Sequence, residues 1–95
     1  MHARVILGKV KLHKQDEAIQ IYKENVVPVA AKQKGFKSMS LLTDSDTNKF
    51  ISITFWETEN DMIAGESSGY LQEQLGKIAA LFVGPPSIQH YVVSL

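Results

Sequence analysis

The sequence predicts an α+β fold: one four-stranded antiparallel sheet with two helical stretches packed on one of its faces. Three observations carry this. Residues 14–34 repeat apolar side chains at helical spacing. Two strand-like runs, 36–43 and 49–56, flank the turn-forming stretch Asp44-Ser45-Asp46-Thr47-Asn48, which is the signature of a hairpin. A second helical pattern stops at Gly84-Pro85-Pro86, just before a last apolar run. The order is therefore β-α-β-β-α-β.

Residues 3–12 form the first strand, with Val5, Ile6, Leu7, Val10 and Leu12; Gly8 in its middle marks a bulge or a close approach of another group. In the first helix Ala18, Ile19, Tyr22, Val26, Val29, Ala30 and Gln33 share one face. Pro28 has no N–H to donate, so it should kink or divide that helix, and Gly35 should end it. Phe50, Ile51, Ile53 and Phe55 suit a pleated, buried surface, and the strand they build ends on Trp56. Thr58 followed by Asp61 resembles a capping box opening a short helix over about 58–66, with Asp in place of the preferred Glu or Gln. Ser67-Ser68-Gly69 breaks it. A further amphipathic helix over 70–82 carries Leu71, Leu75, Ile78 and Phe82, and residues 88–95 make the last strand. This is the split-βαβ, ferredoxin-like arrangement.

At 95 residues the chain is expected to be one domain, 1–95. Ten basic and ten acidic residues cancel, so no electrostatic footprint for nucleic acid stands out. There is no cysteine, which excludes disulfides, thiolate metal sites and a cysteine nucleophile and fits a reducing cytoplasm. The apolar run near the N-terminus is too short for a signal peptide, and no stretch is long enough to span a bilayer, so no membrane partner is expected.

The strands are apolar on both parities. Ile51, Ile53 and Phe55 oppose Phe50 and Trp56; Val5 and Leu7 oppose Ile6, Val10 and Leu12; Tyr91 and Val93 oppose Ile88 and Val92. Helices can cover only one face, so the expectation is a homodimer whose sheets pack face to face. The alternative is that Ser38, Ser40, Ser52 and Thr54 leave the second face semi-polar and solvated.

With that topology the chain resembles the antibiotic biosynthesis monooxygenase domain, a family of dimeric α+β barrels. The resemblance runs over nearly the whole chain. It rests on Lys34-Gly35-Phe36, Leu41-Leu42-Thr43-Asp44, Phe55-Trp56-Glu57-Thr58, Ser68-Gly69-Tyr70-Leu71 and Tyr91-Val92-Val93. It implies one of three things: a small oxygenase using neither metal nor flavin and acting on phenols, hydroquinones or polyketide-like aromatics; a heme-degrading protein; or an enzyme of small signalling or catabolic intermediates or a domain without a reaction, such as a non-catalytic small-molecule-binding module. The heme-degrading branch shares Trp56, but its first-strand asparagine and its histidine ligand align with Gly8 and Gln74 here. Neither residue replaces an imidazole on iron.

A cofactor-free oxygenase needs an apolar pocket, a base and donors that hold developing negative charge. Trp56 offers a stacking ring and an indole N–H for substrate binding, and Tyr22 and Tyr70 offer phenols that reach between helices and sheet. His90 is the candidate base, since His13 lies in a connection and His2 is terminal. Each has a plainer reading: a core-capping tryptophan, core tyrosines with hydroxyls at the rim, a hydrogen-bonded core histidine. The three histidines lack metal-ligand spacing, and the acidic pairs Asp16-Glu17, Asp44/Asp46 and Glu57/Glu59 are explained by caps and a turn, so neither metal nor cofactor is expected. There is no phosphate-binding glycine loop and no Ser-His-Asp signature.

Overall fold

The computed structural model describes residues 1–95, the side chain of Tyr70 excepted. Its elements are β1 (His2–Lys9), α1 (Gln15–Ile21), a π-helical turn (Tyr22–Val26), α2 (Val27–Ala30), β2 (Phe36–Asp44), β3 (Lys49–Trp56), α3 (Glu59–Ser67), α4 (Tyr70–Gly76), a 3₁₀ turn (Ala79–Leu81) and β4 (Ser87–Val92). The sheet order is β2-β3-β1-β4, every neighbouring pair antiparallel. The helices lie on one face, as the β-α-β-β-α-β order requires.

The hairpin and the third strand fall where alternation and turn chemistry place them, with Asn48 supplying a positive φ (60°) at the turn. Thr58 caps α3: its Oγ1 accepts the Asp61 N–H at 3.0 Å. Pro28 does divide the first helix. Lacking an N–H, it opens α2 within that element's first turn, and the preceding turn widens to π geometry.

Several ends differ from the sequence reading, each for a tertiary reason. β1 stops at Lys9, which pairs with Lys49 at the start of β3, so no partner ladder continues beyond it; Val10 keeps a bridge to Phe82 and donates its N–H to the Asn48 carbonyl at 2.9 Å. The first helical stretch ends at Ala30, where tightened bonds to the third residue back take over, rather than running to 34. Gly35 is left-handed (φ 80°) but lies in the connection, where its carbonyl accepts the Glu57 N–H at 2.8 Å and a Cβ would overlap the Asp61 side chain. α4 ends at Gly76 instead of Phe82. Lys77 and Ile78 turn back to Gln74 and Leu75, and Phe82 is extended. β4 closes at Val92 rather than at residue 95.

Gly8 resolves to a close approach, not a bulge: the β1–β3 register is unbroken, and a Cβ at this position would overlap the Phe82 ring. Phe82 and Tyr22 both meet Phe50 edge to face, with centroids 5.3 and 5.7 Å away, and Val10, Ala18, Val26 and Ile78 complete this core. Register assigns the faces. Arg4, Ile6, Phe50, Ser52, Thr54 and Trp56 are buried beneath the helices. The open face carries Val5, Leu7, Ile51, Ile53 and Phe55, all half-buried, beside the exposed Leu42 and Tyr91. Ser52 and Thr54 thus lie on the covered face, and of the four only Ser38 and Ser40 moderate the open one, near its β2 edge, with Ser87 and Gln89 at its β4 edge. No helix among the described residues is long and apolar enough to cross a membrane.

Candidate functional site

A cavity lies between the covered face and the helices. Ile6, Val26, Met39, Phe50, Leu71, Leu75, Ile78 and Phe82 make its apolar walls, and Arg4, Tyr22, Ser52, Thr54 and Gln74 supply polar groups. Its space for a water-sized sphere is about 30 Å³. That is far less than the roughly 300–1,000 Å³ of pockets that enclose drug-sized ligands. Leu75, Ile78 and Phe82 also line an open groove of about 470 Å³ running along Gly84, Pro85 and Pro86. Three apolar side chains therefore stand between a small, mostly apolar cavity and a surface groove.

The π turn begins at Tyr22 and directs its phenol at the sheet, where the hydroxyl is hydrogen-bonded to Ser52 Oγ. Burial pushes the Tyr22 pKa up from 10.0; the bond to Ser52 and the charge of Arg4 oppose that shift without reversing it. Two residues along β3, Thr54 Oγ1 accepts the Trp56 Nε1–H at 2.8 Å. From α4, Gln74 is buried against the cavity, and its side-chain oxygen accepts from Lys77 Nζ at 3.0 Å.

Arg4 is the buried charge of the site, 2 % exposed. One guanidinium nitrogen donates to the Met62 carbonyl at 2.8 Å and lies 3.5 Å from Glu66 Oε2, and the group sits over the Trp56 ring, 5.2 Å from its centroid. Glu66 Oε2 also meets His90 Nε2 at 2.8 Å. Trp56 itself is fully buried and held edge to face by Phe36 at 5.8 Å. It stands behind the cavity wall, supporting two groups that form it.

The four residues singled out from the sequence are thus placed unequally. Tyr22 is on the wall. Trp56 touches the site through Thr54 and Arg4. His90, on β4 and partly exposed, reaches Arg4 only by way of Glu66. The Tyr70 side chain lies outside the described residues. Arg4, Ser52, Thr54, Glu66 and Gln74 escape the sequence reading. Their available signal is polarity at covered parity: the alternation Phe50-Ser52-Thr54-Trp56, and one charge amid the apolar residues of β1.

Among the described residues no group of three or more His, Asp or Glu side chains is arranged to hold a metal ion. The cavity lining contains no histidine, Gln74 offers an amide, and Gly8 is closed over by Phe82. This donor set does not fit the heme-degrading pattern.

The family model for antibiotic biosynthesis monooxygenase matches residues 1–74. A comparison with curated protein sequences gives no match. Among solved structures, a Nitrosomonas europaea protein assigned as an antibiotic biosynthesis monooxygenase superposes with a TM-score of 0.81 at 16 % identity, covering 100 % of both chains. SnoaB of Streptomyces nogalater, a cofactor-independent oxygenase, gives 0.80 at 16 % identity, covering 99 % of this chain and 93 % of its own. The Streptomyces coelicolor monooxygenase from the gene ActVA-Orf6, solved with nanaomycin D, gives 0.76 at 20 % identity, with 97 % and 86 % covered. At such identities the structural likeness is one of fold.

Proposed function

The chain belongs to the antibiotic biosynthesis monooxygenase family, and on that footing we propose that residues 1–95, as one domain, act as a small cofactor-independent monooxygenase on an aromatic, quinol-type molecule. The observation that carries this reading is the hydrogen-bonded Tyr22–Ser52 pair inside an otherwise apolar cavity, within the field of the buried Arg4. Apolar walls with a few convergent polar groups are what a small aromatic ligand needs. The Streptomyces neighbours, described as a cofactor-independent oxygenase and a monooxygenase, point the same way.

The chemistry asks little of the protein. A phenol-activated carbon loses a proton, and the resulting anion adds dioxygen to form a carbon–oxygen bond and a peroxide. Once protonated, the peroxide loses water to leave a carbonyl, so substrate and dioxygen supply every electron. Tyr22 and Ser52 hold the substrate oxygen, and Arg4 stabilises the anion as it forms. Trp56 supports Arg4 from behind. Tyr70 and His90 are the groups we assign to proton exchange, His90 acting through Glu66 rather than by direct contact. Substrate enters from the groove by displacing Leu75, Ile78 and Phe82.

Two copies would pair through the open sheet faces, burying Val5, Leu7, Ile51, Ile53 and Phe55. The cysteine-free composition fits a cytoplasmic setting.

Oxygen uptake by purified, metal-stripped protein against hydroquinones, catechols and polyketide-like phenols tests the proposal. Saturable uptake above the spontaneous rate, lost on boiling, is expected. Folded protein that consumes no oxygen across the panel would count against it and favour a binding module on the same scaffold.

A further inference from the structure

We propose that Glu66 is a positioning residue for Arg4: shared between Arg4 and His90, its carboxylate sets how much of the guanidinium's charge reaches the cavity, and so suits the cavity to phenolates over neutral rings. The ligand half rests on the reading of the cavity as a substrate site; the charge-sharing half does not.

Arg4 and His90 face each other directly across the β1–β4 ladder, on the covered side of the sheet. Glu66 descends from α3 and uses one oxygen for both. The sharing is unequal. Oε2 is 2.8 Å from His90 Nε2, within the range of a strong charge-assisted bond, and 3.5 Å from the Arg4 nitrogen, outside it. That nitrogen donates to the neutral Met62 carbonyl at 2.8 Å, and beneath the group lies the Trp56 ring. A cation so placed keeps its field, and Tyr22 across the cavity registers it, as Arg4 pulls the phenol's pKa downward. His2 and Glu59 line the same surface groove as His90, so the outer end of the chain is the solvated end. His90 thus draws the counter-charge outward and leaves the inner end positive.

Changing either neighbour of the cation should shift the charge in opposite directions. Glu66→Gln removes the counter-charge while keeping the side chain's size. His90→Phe releases Glu66 to close on Arg4. The probe is 4-nitrophenol, whose ionised form is coloured, titrated into the full chain. Glu66→Gln should tighten binding of the ionised form by about four- to fifteenfold, the reach of one charge over about 10 Å at an effective dielectric constant near 20–40, and His90→Phe, which moves that charge without removing it, should weaken binding by a smaller factor. In an Arg4→Met background the part of each effect that runs through the placement of the guanidinium should be lost, leaving only the direct field of Glu66, as a double-mutant cycle reads. Two weakened variants, two unmoved ones, or effects undiminished without Arg4 would overturn the proposal.

The same variants carry a ligand-free readout. Titration of Tyr22 by NMR of ring-labelled tyrosine, assigned with Tyr22→Phe, should move down by roughly one pH unit in Glu66→Gln and up by less in His90→Phe. If 4-nitrophenol fails to bind the unmodified protein, the cavity is not a phenol site and the proposed function suffers. The Tyr22 titration then still decides the role of Glu66, and it does so equally if Arg4→Met does not fold.

Discussion

On the covered face of the sheet, β1 and β3 place Arg4, Ser52 and Thr54 among Ile6, Phe50 and Trp56. On the open face the same two strands place Val5, Leu7, Ile51, Ile53 and Phe55, with charge only at the far end of the ladder, where Lys9 pairs with Lys49. Folding alone would favour the reverse. Burying polar groups costs free energy unless each finds a partner, and leaving branched and aromatic side chains half-exposed forgoes burial worth about 25 cal/mol per Å². The partners are present: Ser52 with Tyr22, Thr54 with Trp56, Arg4 with Met62 and Glu66. A polar set kept inside at that cost marks the proposed site, and an apolar set kept outside is the surface through which we propose that two copies pair.

The largest effect should come from the residue that supports the covered face. Trp56→Ala removes a fully buried ring, the π surface beneath Arg4 and the donor to Thr54. Chemical denaturation should report a loss of about 3–5 kcal/mol. On the open face, Ile53→Asp should leave the fold intact and weaken self-association by roughly a hundredfold, since it buries a charge at the centre of the apolar patch. Sedimentation reads this directly, and a monomeric mass for the unmodified protein at micromolar concentration would remove the contrast between the faces.

A smaller effect is confined to alkaline solution. Burial raises the Tyr22 pKa above the 10.0 that it regains on unfolding. The unfolded chain therefore sheds this proton first, so the stability linked to Tyr22 is complete below pH 10 and declines as pH rises toward the folded value. Tyr22→Phe should flatten that limb of the stability profile, and an unchanged slope would show that the phenol is not held as described. Thr58→Ala, at a cap remote from both faces, should cost about 1 kcal/mol and leave ligand binding alone.

The parts of the fold legible in the sequence are those fixed by neighbours along the chain. The 44–48 turn, the third strand, the Thr58 cap and the break at Pro28 each depend on a few adjacent residues. Helix and strand ends were less legible because tertiary contacts set them: α4 stops at Gly76 so that Ile78 and Phe82 both reach the core, and Phe82 settles where Gly8 leaves room. The same division holds at the site. Tyr22 stands out from its place on a helix face. Arg4 reads as an ordinary solvated charge until register sets it opposite Thr54 and His90, and Glu66, one acidic residue on a short helix, has no local signal at all.

The central claim is that the polar groups of the covered face perform the reaction. Its most direct test is steady-state oxygen uptake by Tyr22→Phe on a phenol that the unmodified protein oxidises, with fold and mass verified. Loss of the hydroxyl should lower kcat/KM at least about tenfold, as expected for a donor that stabilises developing charge. An undiminished kcat/KM in the folded variant would contradict the account.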